Sequence, residues 1–271
     1  MRKLALLIIV VLLLLPKGIY AQDEPFDFER AYQDYVFTLD VYNGSHSEYL
    51  LARAQYKQAG TLVSQTKAQE ATTKMLEARD DVVITYLTAI RMNLLEAEGV
   101  SETTKNSLFS RLDAEIAWFR DHKSRLASAG TLEDLKDDST EAADRFNELT
   151  QTVAYETLAT VPFGKLSLMR SRSSIILGDI ENKISEIRVN NDKDTAIIER
   201  WAQEIENKIT RSLDKEIEAQ ALIPGFTATS GGRTDYSKNF NAIIFKLDES
   251  RQFLRDATEF MREIVREVTT I

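Results

Sequence analysis

The chain has 271 residues, 43% hydrophobic and 28% charged, with 34 Lys and Arg against 43 Asp and Glu. Such a balance suits a folded chain with one large core and excludes intrinsic disorder as the default state. Cysteine is absent, which excludes disulfides, thiol catalysis, cysteine-ligated metals and a lipid-modified cysteine. Ten Gly and four Pro are too few for the turns of a many-stranded β fold, and the acidic excess disfavours nucleic acid and anionic lipid surfaces.

Residues 1–21 read as a secretory signal peptide. Met1-Arg2-Lys3 is followed by an unbroken apolar run from Leu4 to Leu15, then the Pro16/Gly18 breaker and Ala21 at a cleavage position. The run spans roughly 18 Å of helix against about 30 Å of hydrocarbon, so cleavage is expected over retention, with an uncleaved N-terminal anchor as the alternative. Residues 22–271 would then carry 31 basic and 43 acidic residues, a net charge of −12. No later stretch is apolar enough to span a membrane, so insertion is expected nowhere beyond the N-terminal segment.

Residues 22–100 predict an aromatic-rich helix, Phe26 to Tyr42, stopped by Asn43-Gly44-Ser45. A long helix over His46–Glu98 follows, with a break allowed near Gly60 and its strongest face at Leu76, Val83, Leu87, Ile90 and Leu94. Asn43-Gly44-Ser45 also matches an N-glycosylation acceptor. Over 101–223, helix starts recur about every 30 residues, at Ser101, at Thr131, after the Pro162/Gly164 break and at Asp192. Apolar residues between them keep helical spacing: Leu108, Leu112, Ile116, Phe119 and Leu126; Phe146, Leu149 and Val153; Leu177, Ile180, Ile184 and Ile187; then Ile198, Trp201, Ile205, Ile209, Leu213 and Ile217.

Residues 224–235 lack an apolar period and predict a loop, either a binding loop or a crossover. Residues 236–271 predict a C-terminal amphipathic helix with the stripe Phe240, Ile244, Leu247, Leu254, Ala257, Met261, Ile264 and Val268. The fold class is therefore all-α, an elongated antiparallel bundle with coiled-coil-like packing, six to seven helices after the signal peptide, with 22–271 as one elongated domain.

Chemistry-bearing patterns are sparse. His46 and His122 are the only histidines, neither lies in His-Glu-x-x-His or a Glu-x-x-His pair, and both read as surface or capping residues. Gly231-Gly232-Arg233-Thr234 lacks the lysine of a phosphate loop, no Gly-x-Ser-x-Gly occurs, and Glu133-Asp134 and Asp137-Asp138 read as solvated charges. Hence no catalytic, cofactor-binding or metal residue is assigned and no cofactor is expected. Eight rings between Phe26 and Tyr56 are the best contact candidates, although Phe28, Tyr32, Tyr35 and Leu39 share helical spacing and read mostly as core.

With its export signal, its cysteine-free antiparallel helices, Ala129-Gly-Thr-Leu-Glu-Asp-Leu135 opening a helix and its long C-terminal amphipathic helix, the chain resembles the uncharacterised exported helical proteins of candidate-phylum bacteria. The resemblance implies a bacterial cell envelope or exterior setting, periplasm or cell surface, and carries over no functional residue. The expected function is non-enzymatic, by contact with a protein, either itself or an envelope partner. The alternatives are an extracytoplasmic ligand-binding or sensor-type module and, last, an enzyme centred on carboxylates.

Overall fold

The computed structural model describes residues 26–190, 194–226 and 235–269, and within them the chain is helical with no β-strand. The signal-peptide reading of residues 1–21 and the helix start at Asp192 lie outside the described residues. None of the described helices is long and apolar enough to cross a membrane.

Helix α1 runs Phe28–Ala59, capped by Asp27, whose carboxylate accepts the Arg30 N–H at 2.9 Å. It passes straight through Asn43-Gly44-Ser45, so the turn expected there does not form. Gly44 has open space around it, and the i→i−4 ladder, supported by packing on the next helix, outweighs the local turn preference. The chain instead reverses at Gly60, whose φ of +59° is a left-handed conformation that glycine adopts without strain. Helix α2, Leu62–Glu96, starts from a Thr61/Ser64 capping box and returns along α1, so the allowed break is a hairpin. The Phe28 N–H donates to Glu96 Oε1 and Thr38 meets Thr85, fixing the antiparallel register.

Helix α3, Glu102–Leu126, is capped by Ser101, and α4, Leu132–Arg145, by a Thr131/Asp134 capping box, both as expected. A π-helical turn, Phe146–Thr150, then passes directly into α5, Gln151–Asn190. The backbone is thus continuously helical from Leu132 to Asn190, about 88 Å at 1.5 Å per residue. The break expected at Pro162 and Gly164 is absent. Pro162 lies inside α5, and Gly164 serves packing: a Cβ there would come within 2.5 Å of Val100 Cγ2 and 2.9 Å of Glu98 O. Facing it, Gly99 takes φ +79° and lies against the Gly164 carbonyl.

Helices α6, Ala196–Gln220, and α7, Tyr236–Thr269, form a second hairpin; a short 3₁₀ turn at Ile223–Phe226 follows α6, and the rest of the predicted loop, 227–234, lies outside the described residues. That turn occupies the start of the predicted 224–235 loop, and its Phe226 is buried in the core.

Helix α5 joins two lobes. Its first turns pack Val153, Ala154 and Val161 against Leu87, Ile90 and Leu94 of α2 and Leu108, Leu112 and Ile116 of α3. Its far half packs Leu177, Ile180 and Ile184 against Ile198 and Ile205 of α6 and Met261 and Ile264 of α7. Between them Ala159 and Leu166 meet Phe226, Ile243, Leu247 and Leu254. Each fully buried side chain of this size contributes about 1.5–3 kcal/mol, enough in sum to hold a fold without disulfides.

Candidate functional site

The most unusual surface belongs to α1. A helix 32 residues long buries only Ala31 and Ala52 completely. Phe28, Tyr35 and Leu39 are half-buried, and Tyr32 is exposed, so the expectation that the aromatic stripe is mostly core is corrected. The reason is that α1 leans mainly on α2, and a single neighbour covers only one side of a helix. On the open side stand Tyr32, Val36, Phe37, Val41, Leu50 and Leu51, with Phe37 69% and Leu51 62% exposed. At the hairpin tip Leu62 and Val63 are also exposed. Large apolar side chains exposed in such number on one helix are a signature of interaction sites.

Behind α1 lies a cavity of about 340 Å³, walled by Tyr35 of α1, Val82, Val83 and Tyr86 of α2, Phe146 of the π turn, and Gln151, Ala154 and Tyr155 of α5. Tyr35 and Tyr86 are tilted against each other with ring centroids 5.5 Å apart. Among the described residues none of the hydroxyls of Tyr35, Tyr86 and Tyr155 has a hydrogen-bond partner. Burial, followed by the nearby phenols of Tyr155 and Tyr35, pushes the Tyr86 pKa up to about 12, so its O–H remains a donor.

The π turn that shapes this cavity is pinned from both lobes. Arg145 donates twice to the buried Glu115, at 3.0 and 2.6 Å, and Thr150 Oγ1 donates to the same carboxylate at 2.8 Å. From the other side the Tyr236 hydroxyl donates to Asn147 O at 3.0 Å, and Thr152 Oγ1 donates to Phe226 O at 3.1 Å. The turn also inserts a residue into the helical count, which turns Leu149 outward and Thr150 inward against the expected Phe146-Leu149-Val153 stripe. On α6 the buried face keeps a regular helical period but departs from the expected stripe: Leu213 and Ile217 are exposed, while Ser212 and Glu216 are buried, bonded to Ser250 and Arg170.

His122 corrects its sequence reading most clearly. It is 0% exposed rather than a surface or capping residue. Its Nδ1 donates to the buried Asp80 Oδ2 at 2.5 Å and its Nε2 to the Asp138 carbonyl at 3.0 Å, while Trp118 stacks on the ring. Burial pulls the ring pKa down, but the Asp80 hydrogen bond and charge and the Asp138 carbonyl outweigh it, and the net shift is upward. Acceptors on both nitrogens make this an imidazolium. His46 lies half-buried on α1 between Tyr42 and Tyr49.

Of the carboxylate pairs, Asp134 caps α4 and Asp138 is half-buried beside His122, so the pairs are not simply solvated charges. The Thr131/Asp134 box is a local signal, whereas nothing within a single helix signals the pairing of Asp138 with His122. No family model, curated protein or solved structure matches the chain.

Proposed function

We propose that this protein is an exported, non-enzymatic helical element of the bacterial cell envelope that works by protein–protein contact through the open face of α1. The carrying observation is that six large apolar side chains of α1 stand exposed along one side of a helix held on the other by α2. A structural role alone would favour polar residues there, because exposed Phe and Leu invite association. The charge of α1 selects the kind of partner. Four acidic and three basic residues give the helix no basic excess for anionic lipid, which favours the amphipathic helix of another protein laid along the face. The signal-peptide pattern of residues 1–21 supports export and an extracellular or envelope location.

A photo-cross-linking residue at Phe37, expressed in the native organism, tests this reading. One discrete protein adduct is expected, at least ten-fold weaker when Leu51→Glu is added, because a buried anchor residue is worth more than about 1.4 kcal/mol. Both substitutions lie on the surface and should leave the melting temperature within about 2 °C. No adduct, or the same adducts from a residue placed at Arg262 on α7, refutes the proposal.

A second reading, an extracytoplasmic ligand-binding module, is favoured by the tyrosine cavity, whose volume lies in the range of small-molecule sites. Under it, a small acceptor-bearing aromatic ligand raises the melting temperature of the wild type but not of Tyr86→Ala.

A further inference from the structure

The geometry points to a binding site for a small aryl carboxylate, an organic anion with a flat apolar body, in the cleft between α1 and α4. Both helices lean on α2, and the space they leave between them measures about 490 Å³, within the range of small-molecule sites. From α1 the cleft takes Tyr49, Arg53 and Tyr56, which advance by four and three along one face. Leu51 lies two residues from both Tyr49 and Arg53, a rotation of about 200°, so the cleft is on the other side of α1 from the exposed apolar face. It also shares no residue with the tyrosine cavity.

The floor of the cleft is apolar. Met75 and Leu76 of α2 meet Leu132 and Leu135 of α4 there, at the edge of the core cluster that also holds Leu126. Leu76 and Leu135 are fully buried, which makes the floor rigid, while Met75 is half-buried and can adapt to a ligand laid on it. Tyr49 and Tyr56 add two half-buried rings from α1, and neither hydroxyl has a hydrogen-bond partner among the described residues. Such a wall favours a flat aromatic body, which meets rings in offset or edge-to-face contact and removes their faces from water.

The rim is cationic. Arg53, Lys57 and Lys136 border the cleft, and its one carboxylate, Glu133, is taken by Lys136 at 2.6 Å. Arg53 and Lys57 have no ion pair and no side-chain hydrogen bond among the described residues. In a chain with 43 acidic against 34 basic residues, two uncompensated cations at one cleft run against the overall balance. They stand one turn apart on α1, where like charges repel. A carboxylate placed between them removes that repulsion and accepts charge-assisted hydrogen bonds, and the planar fork of Arg53 matches its two oxygens. Apolar floor, ring wall and cationic rim thus select the three parts of an aryl carboxylate together.

Calorimetric titration of the full chain with 1-naphthylacetate, and with its neutral amide 1-naphthylacetamide as the contrast, tests the site. Saturation at one equivalent is expected for the acid, with the amide about five-fold weaker, the upper range for solvent-facing ion pairs. Arg53→Gln combined with Lys57→Gln should weaken the acid by a similar factor and leave the amide unchanged. Tyr56→Ala should weaken both ligands alike, because it removes part of the wall and no charge. Arg120→Gln, which removes an exposed cation of α3 outside the cleft, should change neither. The three cation positions are exposed, so melting temperatures should stay within about 2 °C of the wild type. No saturable binding of the acid, equal binding of acid and amide, wild-type affinity in the Arg53→Gln/Lys57→Gln variant, or an equal loss in Arg120→Gln overturns the inference and leaves the cleft as a gap between packed helices.

Discussion

Gly99→Ala is expected to lower stability by roughly 3–5 kcal/mol, a fall in melting temperature on the order of 10 °C for a chain of this size. Two costs combine at this position. The backbone holds φ at +79°, where a side chain is strained, and the new Cβ would lie 2.1 Å from the Gly164 carbonyl oxygen and 2.8 Å from its carbon. Those atoms belong to a helix backbone, so relief requires the α2–α3 turn and α5 to separate. The contrasting substitution is Gly44→Ala. Gly44 is mid-helix with no atom within 4 Å of an added Cβ, and alanine there should stabilise by about 0.5–1 kcal/mol. Urea melts of the two variants should shift in opposite directions; a Gly99→Ala variant that melts with the wild type would show that the turn and α5 do not touch.

His122→Leu is expected to cost about 3–5 kcal/mol, because it abandons the Asp80 carboxylate in a core from which water is excluded. Replacing both groups, as in Asp80→Leu with His122→Leu, should recover part of that loss, since an apolar pair leaves no uncompensated charge. The wild type carries a pH signature as well. The ring faces Asp80 and Arg79 from α2 and Asp138 from α4, and its folded-state pKa lies above the ordinary value. The folded chain therefore keeps a proton that the unfolded chain releases near pH 6.5. Its stabilising contribution is complete below that pH and fades as the pH rises through the folded-state value. Stability should decline over this interval in the wild type and stay flat there in His122→Leu.

Local signals were the legible part of this fold. Ser101 and Thr131 cap the helices they were expected to cap, because a cap is written within four residues. The stripe of α7 is buried at Leu247, Leu254, Ala257, Met261 and Ile264, because its period is unbroken and both neighbours lie on one side. Signals whose meaning depends on distant residues were misleading. Pro162 and Gly164 resemble a helix break, yet the space that Gly164 leaves is filled by Val100, 64 residues earlier. Asn43-Gly44-Ser45 resembles a turn, yet nothing in its surroundings opposes the helix. The ionic setting of His122 depends on Asp80 and Asp138, 42 and 16 residues away, and no spacing rule connects the three. The face of α1 was visible as a cluster of rings, but whether a second helix would cover it was a question of topology.

The π turn at Phe146–Thr150 governs how the two halves of the molecule are aimed. Both lobes are mounted on one shaft, and each residue of winding turns that shaft by about 100°. Removing a single residue from the turn would swing the α6–α7 hairpin by roughly a quarter of a revolution relative to α1, carrying Tyr155 out of its cavity and Tyr236 away from Asn147. The bearing of one hairpin against the other is thus a gear setting, and one extra amino acid is the tooth that sets it.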